Sequence, residues 1–170
     1  MKKSPTQTPT LGQFLEHARP APSRMLASVL QAISLAARRI AHEVRRAGLT
    51  DLLGRAGAIN VQGEEVQKLD LLANDNLITA LEETGYVGVM GSEENADPIV
   101  CDAPGDGSLA VVLDPLDGSS NINVAAPVAT VFGILRRPRR EAPGDLSDLL
   151  QPGSDFLAAG RLEPAGAEFR

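Results

Sequence analysis

An α/β fold is predicted for this sequence, and three observations carry the prediction. Apolar residues recur at helical spacing over two stretches, Arg24–Ala47 and about Asp70–Glu83. Three shorter apolar runs, Val87–Met90, Leu109–Leu113 and Ala129–Leu135, have strand length and are closely flanked by Gly, Asp, Pro or Ser. The chain has 170 residues, 43% hydrophobic and 22% charged, which allows one domain with a real core.

Taken in order, residues 1–23 hold Pro5, Pro9, Pro20 and Pro22 and read as a flexible arm with a short amphipathic piece at Leu11–Ala18. The first long helix presents Met25, Val29, Ile33, Ala36, Ala37, Ile40 and Val44 on one face. Ser23 is its expected N-cap, Arg45 and Arg46 complement its last turn, and Gly48 follows as a stop. Gly54, Gly57 and Gly63 break up residues 49–68, where a mobile loop is expected. The second helix should bury Leu71, Leu72, Leu77, Ile78 and Leu81. Arg136–Asp148 reads as a charged loop whose basic run, Arg136-Arg137-Pro138-Arg139-Arg140, is expected to be mostly solvated. Arg161–Arg170 shows no periodicity, and no segment repeats.

Several function classes drop out. No apolar run reaches 18 residues, so no membrane helix is expected. Met1–Thr10 is polar and lacks the apolar stretch of a secretory signal. The lone Cys101 cannot form an internal disulfide, which fits a reducing cytoplasm; it reads as a plain buried thiol. Charge is uneven: residues 1–48 carry 8 basic and 2 acidic side chains, whereas residues 49–135 carry 2 basic and 14 acidic. Carboxylates at that density face water or hold cations, and they repel a nucleic-acid backbone. There is no Walker loop and no G-x-S-x-G. Gly105-Asp106-Gly107-Ser108-Leu109-Ala110 fits the G-x-G-x-x-A pattern but precedes a strand, which argues against a dinucleotide site. His17 and His42 lie in separate helical stretches and make a poor zinc pair.

The sharpest chemical feature is Asp114-Pro115-Leu116-Asp117-Gly118-Ser119-Ser120-Asn121, directly after the run Ala110–Leu113. Pro115 pushes Asp114 into extended backbone, and Asp-Pro suits a tight turn that brings Asp117 back beside Asp114. Two carboxylates that close repel unless a cation sits between them, and Mg²⁺ is the usual one. Gly118-Ser119-Ser120 offers unhindered backbone N–H groups, an anion site if a helix begins there. The plainer reading is an Asp-Pro turn with no ligand. Gly91-Ser92-Glu93-Glu94-Asn95 follows the strand at Val87–Met90 and adds two acids, or is a solvated loop. Glu64 lies in the glycine-rich loop, and Asp70 opens the second helix, where an acid is ordinarily just favourable to the dipole.

In Lys68-Leu69-Asp70, Ser92-Glu93-Glu94 and Asp114–Ile122 the sequence resembles class 1 fructose-1,6-bisphosphatase, in order and in spacing, from near Thr10 to about Gly160. The Asp-Pro-Leu-Asp-Gly-Ser-Ser-Asn string is highly specific; its shorter Asp-Pro-x-Asp-Gly core is common to inositol-monophosphatase-like enzymes. The resemblance implies the layered α/β sandwich of the sugar phosphatases. It implies Glu93, Asp114, Asp117 and the backbone carbonyl of Leu116 as ligands of two or more Mg²⁺ ions. It implies Asp70 and Glu94 as groups that orient or deprotonate the attacking water, with Glu64 as the mobile loop's acid. Gly118, Ser119 and Ser120, together with Asp117, would bind the substrate's 1-phosphate, and Asn121 would support the site. The implied activity is two-metal hydrolysis of fructose 1,6-bisphosphate by a cytoplasmic homo-oligomer, a tetramer in the family.

Three departures stand out: Asn123 where the family usually has Asp, Pro127 and Ala129 at the start of the last strand, and a family chain about twice as long. Organisation is therefore expected as an arm at 1–23, an incomplete N-terminal domain at 24–160 and a non-matching tail at 161–170. The truncated chain is expected to be weakly active or inactive. The alternatives are sedoheptulose 1,7-bisphosphate as substrate, or a non-catalytic fragment that binds metal or a full-length subunit.

Overall fold

The computed structural model describes residues 10–18, 23–46, 55–59, 65–102, 106–120 and 127–163. Gly48, Glu64, Asn121 and Asn123 lie outside these residues, as do most of the arm, much of the 49–68 loop and residues 164–170.

Thr10 caps α1 (Leu11–His17) through a capping box with Gln13. The long helix α2 spans Arg24–Arg46, and the Ser23 hydroxyl accepts the Leu26 N–H at 3.2 Å, as an N-cap should. Its buried residues are Val29, Ile33, Ala36, Ala37, Ile40 and Ala41. Within the stretch expected to be a mobile loop, β1 (Arg55–Ile59) and β2 (Glu65–Gln67) pair antiparallel instead, and β2 runs straight into α3 (Lys68–Glu82).

Helix α3 starts two residues before the expected point, and its buried face differs in part from the expected one. Leu69, Asp70, Ala73, Asn74, Leu77 and Leu81 are buried, whereas Leu71 is 41% exposed. Leu77 and Leu81 are buried as expected, Leu72 and Ile78 sit at the margin, and Asp70 and Asn74 join the inward face. Counting apolar residues alone therefore finds only part of the face.

The main sheet has five strands in the order β4-β3-β5-β6-β7. They are β3 (Val87–Ser92), β4 (Ile99–Val100), β5 (Leu109–Asp117), β6 (Ala129–Arg136) and β7 (Ala158–Leu162). β3 and β5 run parallel; every other pairing is antiparallel. One face carries Val87, Met90, Leu109, Val111, Leu113, Phe132 and Ile134 and packs on α2 and α3. The other face buries Val89, Ala110 and Leu135 beneath Leu149 of the 136–157 segment. That segment contains two one-turn 3₁₀ helices, Leu146–Asp148 and Gly153–Asp155.

Arg137, expected among solvated neighbours, is only 4% exposed. Its Nε donates to Asp148 Oδ2 at 2.9 Å, Nη1 to the Gly107 carbonyl at 2.9 Å, and Nη2 to the Arg139 and Ala142 carbonyls at 3.2 and 2.6 Å. A guanidinium so fully used is worth burying. Among the described residues no helix is long and apolar enough to cross a membrane.

Candidate active site

Of the acids singled out in the sequence, Glu93 and Asp114 meet where the parallel pairing of β3 with β5 ends. Ser92 pairs with Leu113 there, and the Glu93 N–H donates to the Leu113 carbonyl at 3.1 Å. That bond carries the ladder one residue past β3 and sets Glu93 beside the start of the Asp114 segment.

The expected tight turn at Asp114-Pro115 is not formed. β5 continues in extended backbone through Asp117, and the chain turns only at Gly118, whose φ is 81°. Proline does rule out the regular ladder, since it has no N–H to donate. The register against β6 shifts between Asp114 and Asp117 in consequence. The buried Thr130 hydroxyl donates to the Pro115 carbonyl at 3.0 Å, which satisfies an acceptor the irregular ladder leaves over. Thr130 is thus a site-supporting residue that sequence reasoning missed; its only signal was a hydroxyl among buried apolar neighbours.

Asp114 Oδ1 accepts the Leu116 N–H at 3.0 Å, and the Asp114 carboxyl is hydrogen-bonded to Glu93. Burial pushes the pKa of Asp114 up to about 7, and Glu93 and Asp117 push it the same way, against the pull of the Leu116 N–H. Asp114 therefore holds its proton up to near neutrality unless a cation takes its place. Leu116 is 3% exposed, so only its backbone can serve a ligand. Asp117 turns outward, its Oδ2 3.9 Å from Nη2 of Arg161 on β7.

On the helix side, Asp70 is 3% exposed, deeper than an acid serving only the helix dipole needs to be. Asn74 lies one turn further along the same face. Its Oδ1 accepts the Ser92 hydroxyl at 2.7 Å, and its Nδ2 donates to Asn95 Oδ1 at 2.8 Å. Ser92 Oγ in turn accepts the Glu94 N–H at 3.3 Å, and Glu94 Oε2 is buried. Asn74 therefore pins the loop bearing both glutamates to α3. Sequence reasoning passed over it, although a polar side chain on a helix's apolar face was the available signal.

The structure thus joins Glu93 to Asp114, sets Asp117 near enough to act on Asp114, and turns Asp70's face toward the Ser92–Asn95 segment. Among the described residues no group of three or more His, Cys, Asp or Glu side chains is arranged to hold a metal ion. What stands ready is the Glu93–Asp114 pair, a hard, all-oxygen donor set whose like charges suit a divalent cation. Ser119 and Ser120 form a single 3₁₀ turn after Gly118. Cys101 is partly buried, and burial together with Glu82 and Asp102 pushes its thiol up to about 11, so it is no nucleophile near neutral pH.

Residues 10–163 match the family model for the fructose-1,6-bisphosphatase N-terminal domain. The chain belongs to the fructose-1,6-bisphosphatase family. A class 1 fructose-1,6-bisphosphatase of Chlorobium phaeovibrioides is 49% identical over 139 residues, covering 79% of this chain and 41% of that protein. A class 1 fructose-1,6-bisphosphatase of Cytophaga hutchinsonii is 41% identical over 167 residues, covering 95% of this chain and 48% of its own length. The chain therefore spans less than half the length of these relatives. The crystal structure of Leishmania major fructose-1,6-bisphosphatase in holo form superposes with a TM-score of 0.83 at 29% identity, covering 95% of this chain and 50% of that one. The T-state structure of the same enzyme gives 0.73 at 27% identity. The fold is accordingly that of the inositol-monophosphatase-like sugar phosphatases.

Proposed function

We propose that this chain carries the cation-binding part of a sugar-bisphosphatase site and acts, with Mg²⁺, on the 1-phosphate of fructose 1,6-bisphosphate. The observation that carries the reading is the Glu93–Asp114 carboxyl pair where the parallel pairing of β3 with β5 ends, with Asp114 pushed up to about 7. The names of the relatives support the substrate.

Glu93 and Asp114 would hold the ion, joined by Asp117 and the Leu116 carbonyl. Bound there, Mg²⁺ supplies positive charge that acidifies a water and steadies the leaving oxygen. Asp70 and Glu94 would take the proton from the attacking water. Gly118, Ser119 and Ser120 face the phosphate. Glu64 and Asn121, outside the described residues, keep the loop-acid and supporting roles the resemblance implies.

A second reading, a non-catalytic module that binds metal or a full-length subunit, is favoured by the outward turn of Asp117. Assembly into a homo-oligomer and a cytoplasmic location belong to the first reading.

Because the chain spans less than half of its relatives' length, cation binding is read first and turnover second. Calorimetric titration of the 170-residue chain with Mg²⁺ at pH 8 should show binding that Asp114→Asn removes. Phosphate release from fructose 1,6-bisphosphate, absent in Glu93→Gln, identifies the enzyme. Binding without release favours the module. No Mg²⁺ binding at millimolar concentrations overturns both readings.

A further inference from the structure

We propose that Arg161 is a phosphate-binding residue of this site, which exchanges its contact with Asp117 for the phosphate of the bound substrate. The inference rests on the bisphosphatase reading and deepens it by adding a cationic group to a site otherwise built from acids and backbone.

The register places Arg161 there. Asp114 pairs with Val131, and Val131 pairs with Arg161. Directly paired residues on adjacent strands project from the same face. Asp114, Val131 and Arg161 thus form one row across three strands, about 10 Å from end to end. Val131 in the middle is 36% exposed and leaves that face open. An arginine side chain reaches inward across such a gap, and Arg161 does so: Nη2 lies 3.9 Å from Asp117 Oδ2.

The contact is a holding position. Arg161 Nε lies 3.9 Å from Glu163 Oε1, so the guanidinium rests between two carboxylates. Both separations exceed hydrogen-bond range, and all three side chains are about half exposed. Exposed ion pairs of this kind contribute little and are cheaply given up. The planar fork of donors matches a phosphate, which carries more charge and accepts two parallel bonds. Were Asp117 to join Glu93 and Asp114 in holding a divalent cation, Arg161 would lose this contact and be left to pair with the anion. Glu93 and Asp114 would hold the cation, whose charge favours the anion, and Arg161 would add a direct contact to the phosphate.

The test is calorimetric titration of the chain with inorganic phosphate at pH 8 in saturating Mg²⁺, for the wild type, Arg161→Gln and Arg161→Lys. Arg161→Gln should weaken phosphate binding about tenfold, and Arg161→Lys should recover part of the loss by restoring charge without the fork. In phosphate-free buffer, Arg161→Gln should bind Mg²⁺ slightly tighter, by about two- to fivefold, because Asp117 loses a competing cation. Equal phosphate affinity in the wild type and Arg161→Gln overturns the proposal and leaves the bisphosphatase reading standing. Mg²⁺ binding by the wild type without any phosphate binding overturns both. Circular dichroism of each variant shows whether the fold survives. If Arg161→Gln does not fold, Glu163→Gln decides the matter: release of the guanidinium from its second partner should tighten phosphate binding, and no change overturns the proposal.

Discussion

The sheet carries charge into partly or fully buried positions at both ends, and the two ends handle it in opposite ways. At one end Arg137 and Asp148, 4% and 1% exposed, pair in opposite sign, and the guanidinium spends its remaining donors on three carbonyls. At the other end Glu93 and Asp114 pair in like sign, and Asp114 is pushed up to about 7. The first arrangement carries its own counter-charge as folded. The second is complete only with a proton or a cation supplied from outside. Complementary charge marks a strut, and concentrated like charge marks a place for a ligand.

The sharpest way to break this contrast is to remove the strut. Arg137→Ala should cost about 3–5 kcal/mol, because Asp148 stays buried without its partner. Urea unfolding followed by circular dichroism measures the loss, and a change below 1 kcal/mol would reject the structural role.

Asp114→Asn should go the other way. It keeps the acceptor for the Leu116 N–H and removes the like-charge contact, so the metal-free chain should gain on the order of 1–2 kcal/mol at pH 8. Thermal unfolding in chelator reads the gain. A loss of stability would mean that the pair is not strained.

A similar magnitude, with the sign reversed, is expected on the helix side. Asn74→Ala leaves the Ser92 hydroxyl and Asn95 short of a partner in a half-dry site and should cost about 1–2 kcal/mol. Mg²⁺ affinity should fall with it, since the loop bearing Glu93 loses its tie to α3. Unchanged affinity alongside reduced stability would confine Asn74 to packing.

The gentlest probe is pH. An acid whose folded pKa is raised from 3.8 to about 7 binds more protons folded than unfolded between those values. Stability of the metal-free chain should therefore decline as pH rises from about 4 to about 7. Mg²⁺ affinity should climb over the upper part of the same range, as Asp114 loses its proton. A flat profile in both would separate Asp114 from Glu93.

Much of this was legible in the sequence, for identifiable reasons. Ser23, the apolar stripe of α2 and the strand runs rest on local chemistry, and each was found at its place. Glu93 directly follows β3, as its motif suggested, whereas Asp114 lies within β5 and not at its end. What failed depended on neighbours distant in the chain. The turn expected at Asp114-Pro115 is overruled by Thr130, fifteen residues on, which takes up the Pro115 carbonyl and keeps the strand extended. Arg137 is buried only because Asp148 and three carbonyls converge on it. The β1–β2 pairing hid behind glycines that suggest a loop, and the buried face of α3 was found at Leu77 and Leu81 but missed at Asp70 and Asn74, which are polar. Periodicity ended the recognisable pattern near Gly160, yet β7 runs on to Leu162 and carries Arg161 into the row with Asp114.

Strand β7 has a further consequence. It is five residues long and is the outermost strand at its side of the described sheet, whereas the opposite margin is the two-residue β4. A two-residue margin offers too short a template for a new strand, but five extended residues present a usable row of backbone donors and acceptors. Any growth of the sheet is thus directional, since only the β7 margin is long enough to serve as a template. The strand that carries Arg161 is also the one from which the described sheet could extend.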